Sequence, residues 1–572
     1  LQKVADGSII AAKEVRSNKC LIISCTGCGW YLSGVAAFRL RAEAQGHAPS
    51  RPHALIRVRQ SSIVNADRTN RFLTISNIII LALLIRTLCF SGFVLGDDPN
   101  YTDYARTIID GSYPPLCDLC VFAFRPVLLY SIGLSLKWLG WSEFNFVLPI
   151  LLSSLISIYL IYRLAELLFD KNTGLLAALL LAVYPLDVVH ATTMSNDIML
   201  GMLVALSMLL LLKGLKGRGR GLALCFTASG IVLGIATGVK INAIPIIGVF
   251  ILIISYIAWR ERRFNRGTML FLISWVLIQT IFSVTYYLKT GDGFAHIHTE
   301  LMFNKKFNPS GFVDTAECLK KALLYYPQHM LCLKIEGHPG YCFYPYGFVF
   351  PVFFLGVFYF VWKREEKAVI PLMWFAYLFL MMEFTPLRIS PSYQPIHRLI
   401  RFLAIMSIPA LLVVAYFLKR VYQERMAGRV IALLLVAGLF ATSLHQAYRK
   451  SYCYRDCMSD ARVAHDIIRY MPHVQVISDD EMKKSLIFYN QGENRDTFKS
   501  FDCDKPRYLQ DSLVILGGAR RPDMQNLYAE NFVRSIKPQS NWVKICEVEG
   551  KKEAWRKSNL VIYRIVDREQ FN

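Results

Sequence analysis

The feature that most constrains this chain is a series of apolar runs, each about as long as a helix needs to cross a lipid bilayer, which is about 20 residues. They recur at roughly 72–93, 144–168, 173–189, 193–212, 221–238, 241–259, 268–288, 343–362, 367–385, 399–418 and 428–447, which makes about eleven spans. Composition agrees: 54% of residues are hydrophobic and 19% charged, with mean hydropathy +0.35. Soluble domains carry about 25% charged residues. The expected fold class is an all-α polytopic membrane protein.

Orientation follows from the short loops. "KGLKGRGR" from Lys213, "WRERRFNR" from Trp259, "KREEK" from Lys363 and "KRVYQER" from Lys419 all fall on one side of the membrane. Short basic loops mark the cytoplasmic face. The net charge of +22 is therefore expected to face anionic lipid. No basic stripe with interleaved aromatics lies on a soluble segment, so nucleic acid is not an expected partner. The opposite, extracytoplasmic face receives the long segments near 94–143, 289–342 and 386–398, and the tail.

Three regions are expected. Residues 1–70 are basic and unlike the rest, and Leu1 is not an initiator Met. This stretch reads as a fragment end or upstream translation and is given no functional weight; within it, 20–38 reads as a signal-like segment, an extra span or an artefact. Residues 71–448 form the membrane domain. Residues 449–572 form an extracytoplasmic α/β domain, with strands at "VQVISDD", "SLVILGG", "WVKICEV" and "NLVIYRIV" and helices at "ARVAHDIIRYM" and "EMKKSLIFYNQ".

Five polar segments collect on the extracytoplasmic face. In "GDDPNYTDYARTIIDG", Asp98 before Pro99 suits a helix N-cap, which leaves Asp97 at the bilayer rim. An acid there is costly unless paired or used. "FRPVLLYSIGLSLKWLG" is short for a span and suits a surface or re-entrant helix, with Arg125 at its start. "YPLDVVHATTMSNDIMLG" brings Asp187, His190 and Asp197 to an outer turn. "GIATGVKINAIP" holds Lys240 alone between apolar segments. "LRISPSYQPIHRLIRFLAIMSIP" gathers Arg388, His397, Arg398 and Arg401, against the positive-inside trend. Each has a plainer reading as a helix cap, solvated turn or snorkelling cation. Together, an acid beside phosphate-binding cations suits attack of an acceptor hydroxyl on a glycosyl phosphate lipid.

At these residues the sequence resembles the GT-C glycosyltransferases, nearest the protein O-mannosyltransferase and aminoarabinose-transferase group (glycosyltransferase family 39 and its bacterial relatives). The likeness covers about 72–450. Asp97-Asp98 resembles the family's "DE" pair, with the second acid shortened. The segment after Phe124 resembles its "HPPL"-type helix, without the His and second Pro. Asp197 matches an acid opening the fourth span, Lys240 the cation of a "GLA-x-LTKPT" segment, and Arg401 the arginine of "RYLLPALPALALL", with Phe402 in place of Tyr. The resemblance implies a polyprenyl-phosphate sugar donor, a glycan, lipid or protein acceptor, and inversion at the anomeric carbon. It implies Asp97 as general base beside Asp98. Lys240, Arg401, Arg398 and Arg125 are the expected donor-phosphate ligands, and Asp197, Asp187, His190, Glu300 and His397 the expected substrate contacts. His296, His298 and Glu300, in the long outer loop, are expected to shape the acceptor site. No metal or other cofactor is expected; the Asp pair leaves a divalent cation open, although two adjacent carboxylates without further ligands are poor grounds for one.

Of 14 cysteines, nine fall outside: Cys117, Cys120, Cys318, Cys332, Cys342, Cys453, Cys457, Cys503 and Cys546. An oxidising compartment would permit disulfides among them. Cys117 and Cys120 read as a local bridge or half a zinc site, and no second pair completes it. The competing function is a transporter or lipid flippase, which calls for inverted repeats and midplane charges that the sequence does not display. A non-catalytic scaffold would leave Asp97, Lys240 and Arg401 unexplained.

Overall fold

The computed structural model describes residues 74–94, 97–113, 116, 121–217, 221–262, 265–307, 324–331, 347–388, 394–395, 399–457, 459–471, 473–491, 493, 495–500, 511–516, 541–548 and 560–566. Residues 1–71 form a unit of their own, outside the described residues. Cys117, Cys120, Cys318, Cys332, Cys342 and Cys503 also lie outside the described residues; Cys546 is a free thiol.

The chain is a polytopic helical membrane protein. Its elements run α1 Ile75–Leu88, α2 Asp98–Ile109, α3 Pro126–Leu139, α4 Glu143–Leu168, α5 Lys171–Val183, α6 Pro185–His190, α7 Asn196–Lys216, α8 Leu222–Thr237, α9 Ala243–Glu261, α10 Gly267–Thr290, α11 Ala295–Phe307, α12 Tyr325–Leu331, α13 Val349–Lys363 and α14 Val369–Phe384. A short hairpin follows, β1 Pro386–Arg388 with β2 Gln394–Pro395, then α15 Leu403–Tyr422 and α16 Met426–Cys457. Among the described residues, seven helices are long and apolar enough to cross a membrane and five more are apolar but shorter.

All eleven expected spans have a helix in place. One differs: the run 173–189 breaks after Val183, and α6 starts at Pro185. Proline has no N–H for the preceding turn, so the helix restarts there. The segment after Arg125 is a 14-residue helix with Pro126 in its first turn, where the missing N–H is no loss. Nearly every residue of α15 is buried, so it is the central post of the bundle. α10 sits at the rim, with Ile273, Leu277 and Ile281 exposed where lipid would lie. Between membrane helices, small residues permit close contact. A Cβ on Gly230 of α8 would lie 2.2 Å from the Phe271 carbonyl oxygen of α10.

The tail folds as an α/β domain: α17 Ser459–Ile468, β3 Val476–Ser478, α18 Asp480–Tyr489, β4 Phe498–Ser500, β5 Leu513–Leu516, β6 Trp542–Val548 and β7 Leu560–Ile565. The sheet order is β4-β3-β5-β7-β6. β3 is parallel to β4 and β5; β7 is antiparallel to β5 and β6. Four strands match the sequence reading. β4 was not expected, since its three residues lie in a polar stretch with no room for alternation.

Candidate active site

The site is built where four chain segments meet: the loop before α2, the start of α7, the turn between α8 and α9, and the entry to α15. Asp97 is the N-cap residue of α2, and its carbonyl accepts from the N–H groups of Asn100 and Tyr101, each at 3.1 Å. Asp98, expected as the cap, is instead the first helical residue. Its carboxylate turns back to accept from the Val94 N–H at 2.9 Å and is buried. The two acids thus differ: Asp98 closes the loop upon itself, while Asp97 faces the cations.

Arg401 lies in the 3-10 turn Ile400–Phe402 that feeds α15. Its guanidinium is 2.6 Å from the Asp97 carboxylate and 3.7 Å from that of Asp197. Asp197, in the first turn of α7, is fully buried and pairs with Lys240 at 2.7 Å. Lys240 in turn lies 3.6 Å above the Phe402 ring, a cation–π contact that fixes the ammonium beside Arg401. Two polar atoms here have no hydrogen-bond partner among the described residues: Arg401 Nε and Asp197 Oδ2. These two atoms face each other at 3.7 Å, beyond hydrogen-bond range, and buried polar groups ordinarily make hydrogen bonds, so the gap calls for an explanation.

Arg125 forms the adjoining wall. It donates to the Tyr101 hydroxyl and lies 4.0 Å from Glu300 of α11. Asn196 also donates to Tyr101, at 3.3 Å. Burial pushes the Tyr101 hydroxyl above its ordinary pKa, so it stays protonated and its own hydrogen is available to an acceptor.

Four expected site residues lie elsewhere or outside. Asp187 pairs with Arg86 of α1 at 2.5 Å, and Ser154 of α4 donates to it. Arg86 is fully buried and also donates to the carbonyls of Ala82 and Ala182. This is an ion pair within the bundle, joined to none of the residues around Asp97. His190 packs edge-on to Tyr454 of α16, 6.2 Å between ring centroids. His397 and Arg398 lie outside the described residues, as does the Arg388 side chain. His298 pairs with Asp292, and His296 is buried against Tyr286.

Sequence reasoning passed over Tyr101, Asn196 and Glu383. Glu383, at the end of α14, is fully buried and accepts from the N–H groups of Tyr325 and Tyr326 at 2.9 and 3.0 Å. It thereby anchors helix α12. An acid inside an apolar run is a signal that could have found it. Among the described residues, no group of three or more His, Cys, Asp or Glu could hold a metal ion.

Comparison with known proteins follows from this geometry. Residues 125–287 match the family described as dolichyl-phosphate-mannose-protein mannosyltransferase, a segment that includes Asp197 and Lys240 but neither Asp97 nor Arg401. A search of curated proteins finds no match. Among solved structures, ArnT from Cupriavidus metallidurans in the apo state aligns over 86% of this chain and 97% of its own, at 14% identity and a TM-score of 0.51. The same protein bound to undecaprenyl phosphate aligns over 86% and 98%, at 14% identity and a TM-score of 0.53. At such identity the likeness is one of fold, helical bundle and tail together.

Proposed function

We propose that this chain, a membrane glycosyltransferase of the GT-C fold, transfers a sugar from a polyprenyl-phosphate donor to an acceptor hydroxyl at its extracytoplasmic face, with Asp97 as general base. One observation carries the reading: Arg401 bridges Asp97 and Asp197, its Nε facing Asp197 at 3.7 Å without a hydrogen bond among the described residues, with Lys240 alongside. A carboxylate and a group of cations at one bilayer rim match what the reaction requires. The ArnT likeness supports it, since that protein was solved with undecaprenyl phosphate bound.

The acceptor oxygen attacks the anomeric carbon and the carbon–oxygen bond to phosphate breaks. The configuration inverts, and polyprenyl phosphate departs. The acceptor proton passes to Asp97. Charge grows on the departing phosphate, and Arg401, Lys240 and Arg125 stabilise it. Arg401 is suited to this because its planar fork matches phosphate oxygens. Arg401 pairs with Asp97, and a carboxylate held by a guanidinium is a weaker base than a free one. A donor phosphate that draws Arg401 to itself releases Asp97 only when the substrate is present.

The membrane side follows from charge. Lys419–Asp170, Arg420–Glu365 and Arg260–Glu366 pairs gather at the far ends of the helices. Arg401, in the turn that feeds α15, and Lys419, near its other end, bracket about 27 Å, close to the bilayer core thickness. The basic end is cytoplasmic by the positive-inside trend, so the site and the α/β domain face outward. The test is transfer from a panel of radiolabelled polyprenyl-phosphate sugars by membranes carrying the chain. Sugar transfer with stoichiometric release of polyprenyl phosphate supports the reading. Donors that bind and are never cleaved, with acceptor extracts supplied, oppose it.

A further inference from the structure

The segment before Asp97 is held by the α/β domain. Residues 91–94 are fixed at four points: the Ser91 N–H donates to the Thr192 hydroxyl at 3.3 Å, the Gly92 N–H to the Thr192 carbonyl at 2.8 Å, the Phe93 N–H to Glu143 at 3.0 Å and the Val94 N–H to Asp98 at 2.9 Å. Of these anchors, Glu143 is the one shared with the soluble domain. Arg462 of α17 reaches it through two nitrogens, at 2.9 and 2.7 Å, and the Tyr489 hydroxyl of α18 donates to it at 2.9 Å. Burial pushes the Tyr489 hydroxyl up, so it remains a donor.

Packing follows the same line. Phe488 of α18 stacks on Phe93, 4.4 Å between centroids and 9° between planes, and Phe93 is fully buried. Gly92 has φ +79°, and a Cβ there would lie 2.0 Å from the Glu143 carboxylate. Only glycine fits that approach. Two more bonds grip α2: Lys484 to Asn100 at 2.9 Å and Arg495 to Asp103 at 2.6 Å. All these partners lie on residues 462–495, and they bracket Asp97 from both sides in sequence.

We infer that the soluble domain is an alignment device for the base: Glu143, clamped by Arg462 and Tyr489, and Phe93, capped by Phe488, set where Asp97 stands relative to the cations. These are positioning residues, since none touches Asp97. The inference rests on the transferase reading above. None of the donor-phosphate cations lies on the clamped segment: Lys240 comes from the α8–α9 turn, Arg401 from the entry to α15 and Arg125 from the start of α3. Loosening the clamp should therefore misplace the base without weakening donor binding. A misplacement of about 1 Å costs roughly 100-fold in rate.

The experiment compares full-length wild type, Arg462→Ala, Arg462→Lys, Phe488→Leu and Asp97→Asn, purified in detergent at matched folded amounts, with the donor found by the panel. Arg564→Ala, which breaks a surface pair with Asp511 elsewhere in the same domain, is the control. The inference expects kcat to fall tenfold or more in Arg462→Ala and Phe488→Leu, with donor KM within twofold of wild type. Arg462→Lys should recover part of the loss, and Arg564→Ala should match wild type. Unchanged kcat in Arg462→Ala and Phe488→Leu, with Asp97→Asn inactive, overturns the inference and leaves the transferase reading standing. So does a fall in kcat that is matched by a rise in KM and a lower melting temperature. An Asp97→Asn protein that still turns over overturns the inference together with the role of Asp97 as base, and leaves sugar transfer itself standing.

Discussion

Lys240 and Asp197 face each other at 2.7 Å with side chains 4% and 0% exposed, the most deeply buried ion pair around the candidate base. Removing one partner leaves an uncompensated buried charge, which costs about 3–5 kcal/mol. Asp197→Asn and Lys240→Met should each lower the melting temperature in detergent. The double variant should regain much of that stability while remaining unable to transfer sugar. Separate recovery of stability and activity is the expected signature of a pair that also serves the donor.

Arg401→Lys keeps the charge but loses the planar fork. Charge-assisted hydrogen bonds contribute about 1.5–3 kcal/mol, and each 1.4 kcal/mol is tenfold. Donor KM should rise by roughly 10- to 100-fold, measured by initial rates over a donor series.

Asp187 gives a contrasting expectation. Its partner Arg86 is fully buried and joined to α4 and α5 as well. Arg86→Met should destabilise the bundle by about 3–5 kcal/mol, because Asp187 is left buried and unpaired. Donor KM of the protein that remains folded should match wild type. A changed donor KM would return Asp187 to the substrate site.

His296 supplies a pH dependence. Burial pushes its imidazole down from 6.5 to about 4. The unfolded chain therefore binds one more proton than the folded chain between these values. Stability from this group is complete above pH 6.5 and is lost as pH falls toward 4. Melting temperature should decline across that window in wild type, and His296→Leu should decline less. The measurement is thermal unfolding at a series of pH values.

Much of this was legible in sequence, for a physical reason. Charges near a bilayer stand out against apolar runs, so Asp97, Lys240, Arg401, Asp197 and Arg125 were found from their settings, and the structure gathers them. Arg86 and Glu383 carry the same signal, a charge within an apolar run, but the many apolar neighbours in each run dominate its hydropathy. Asp98 was misplaced by one helical position, since its side chain bonds backward to Val94 rather than forward into α2. Glu143 could not have been found: its partners Phe93, Arg462 and Tyr489 are far apart in the chain, and no local pattern encodes their meeting. The 173–189 span was drawn through Pro185 because hydropathy is blind to a missing N–H.

The central claim is that Asp97 accepts the acceptor's proton. The most direct measurement is single-turnover transfer from the radiolabelled donor by wild type and Asp97→Asn, both loaded with donor to the same extent. The account predicts that the variant binds donor yet transfers at least about 100-fold more slowly, in line with loss of a general base. Transfer by Asp97→Asn at the wild-type rate would contradict it.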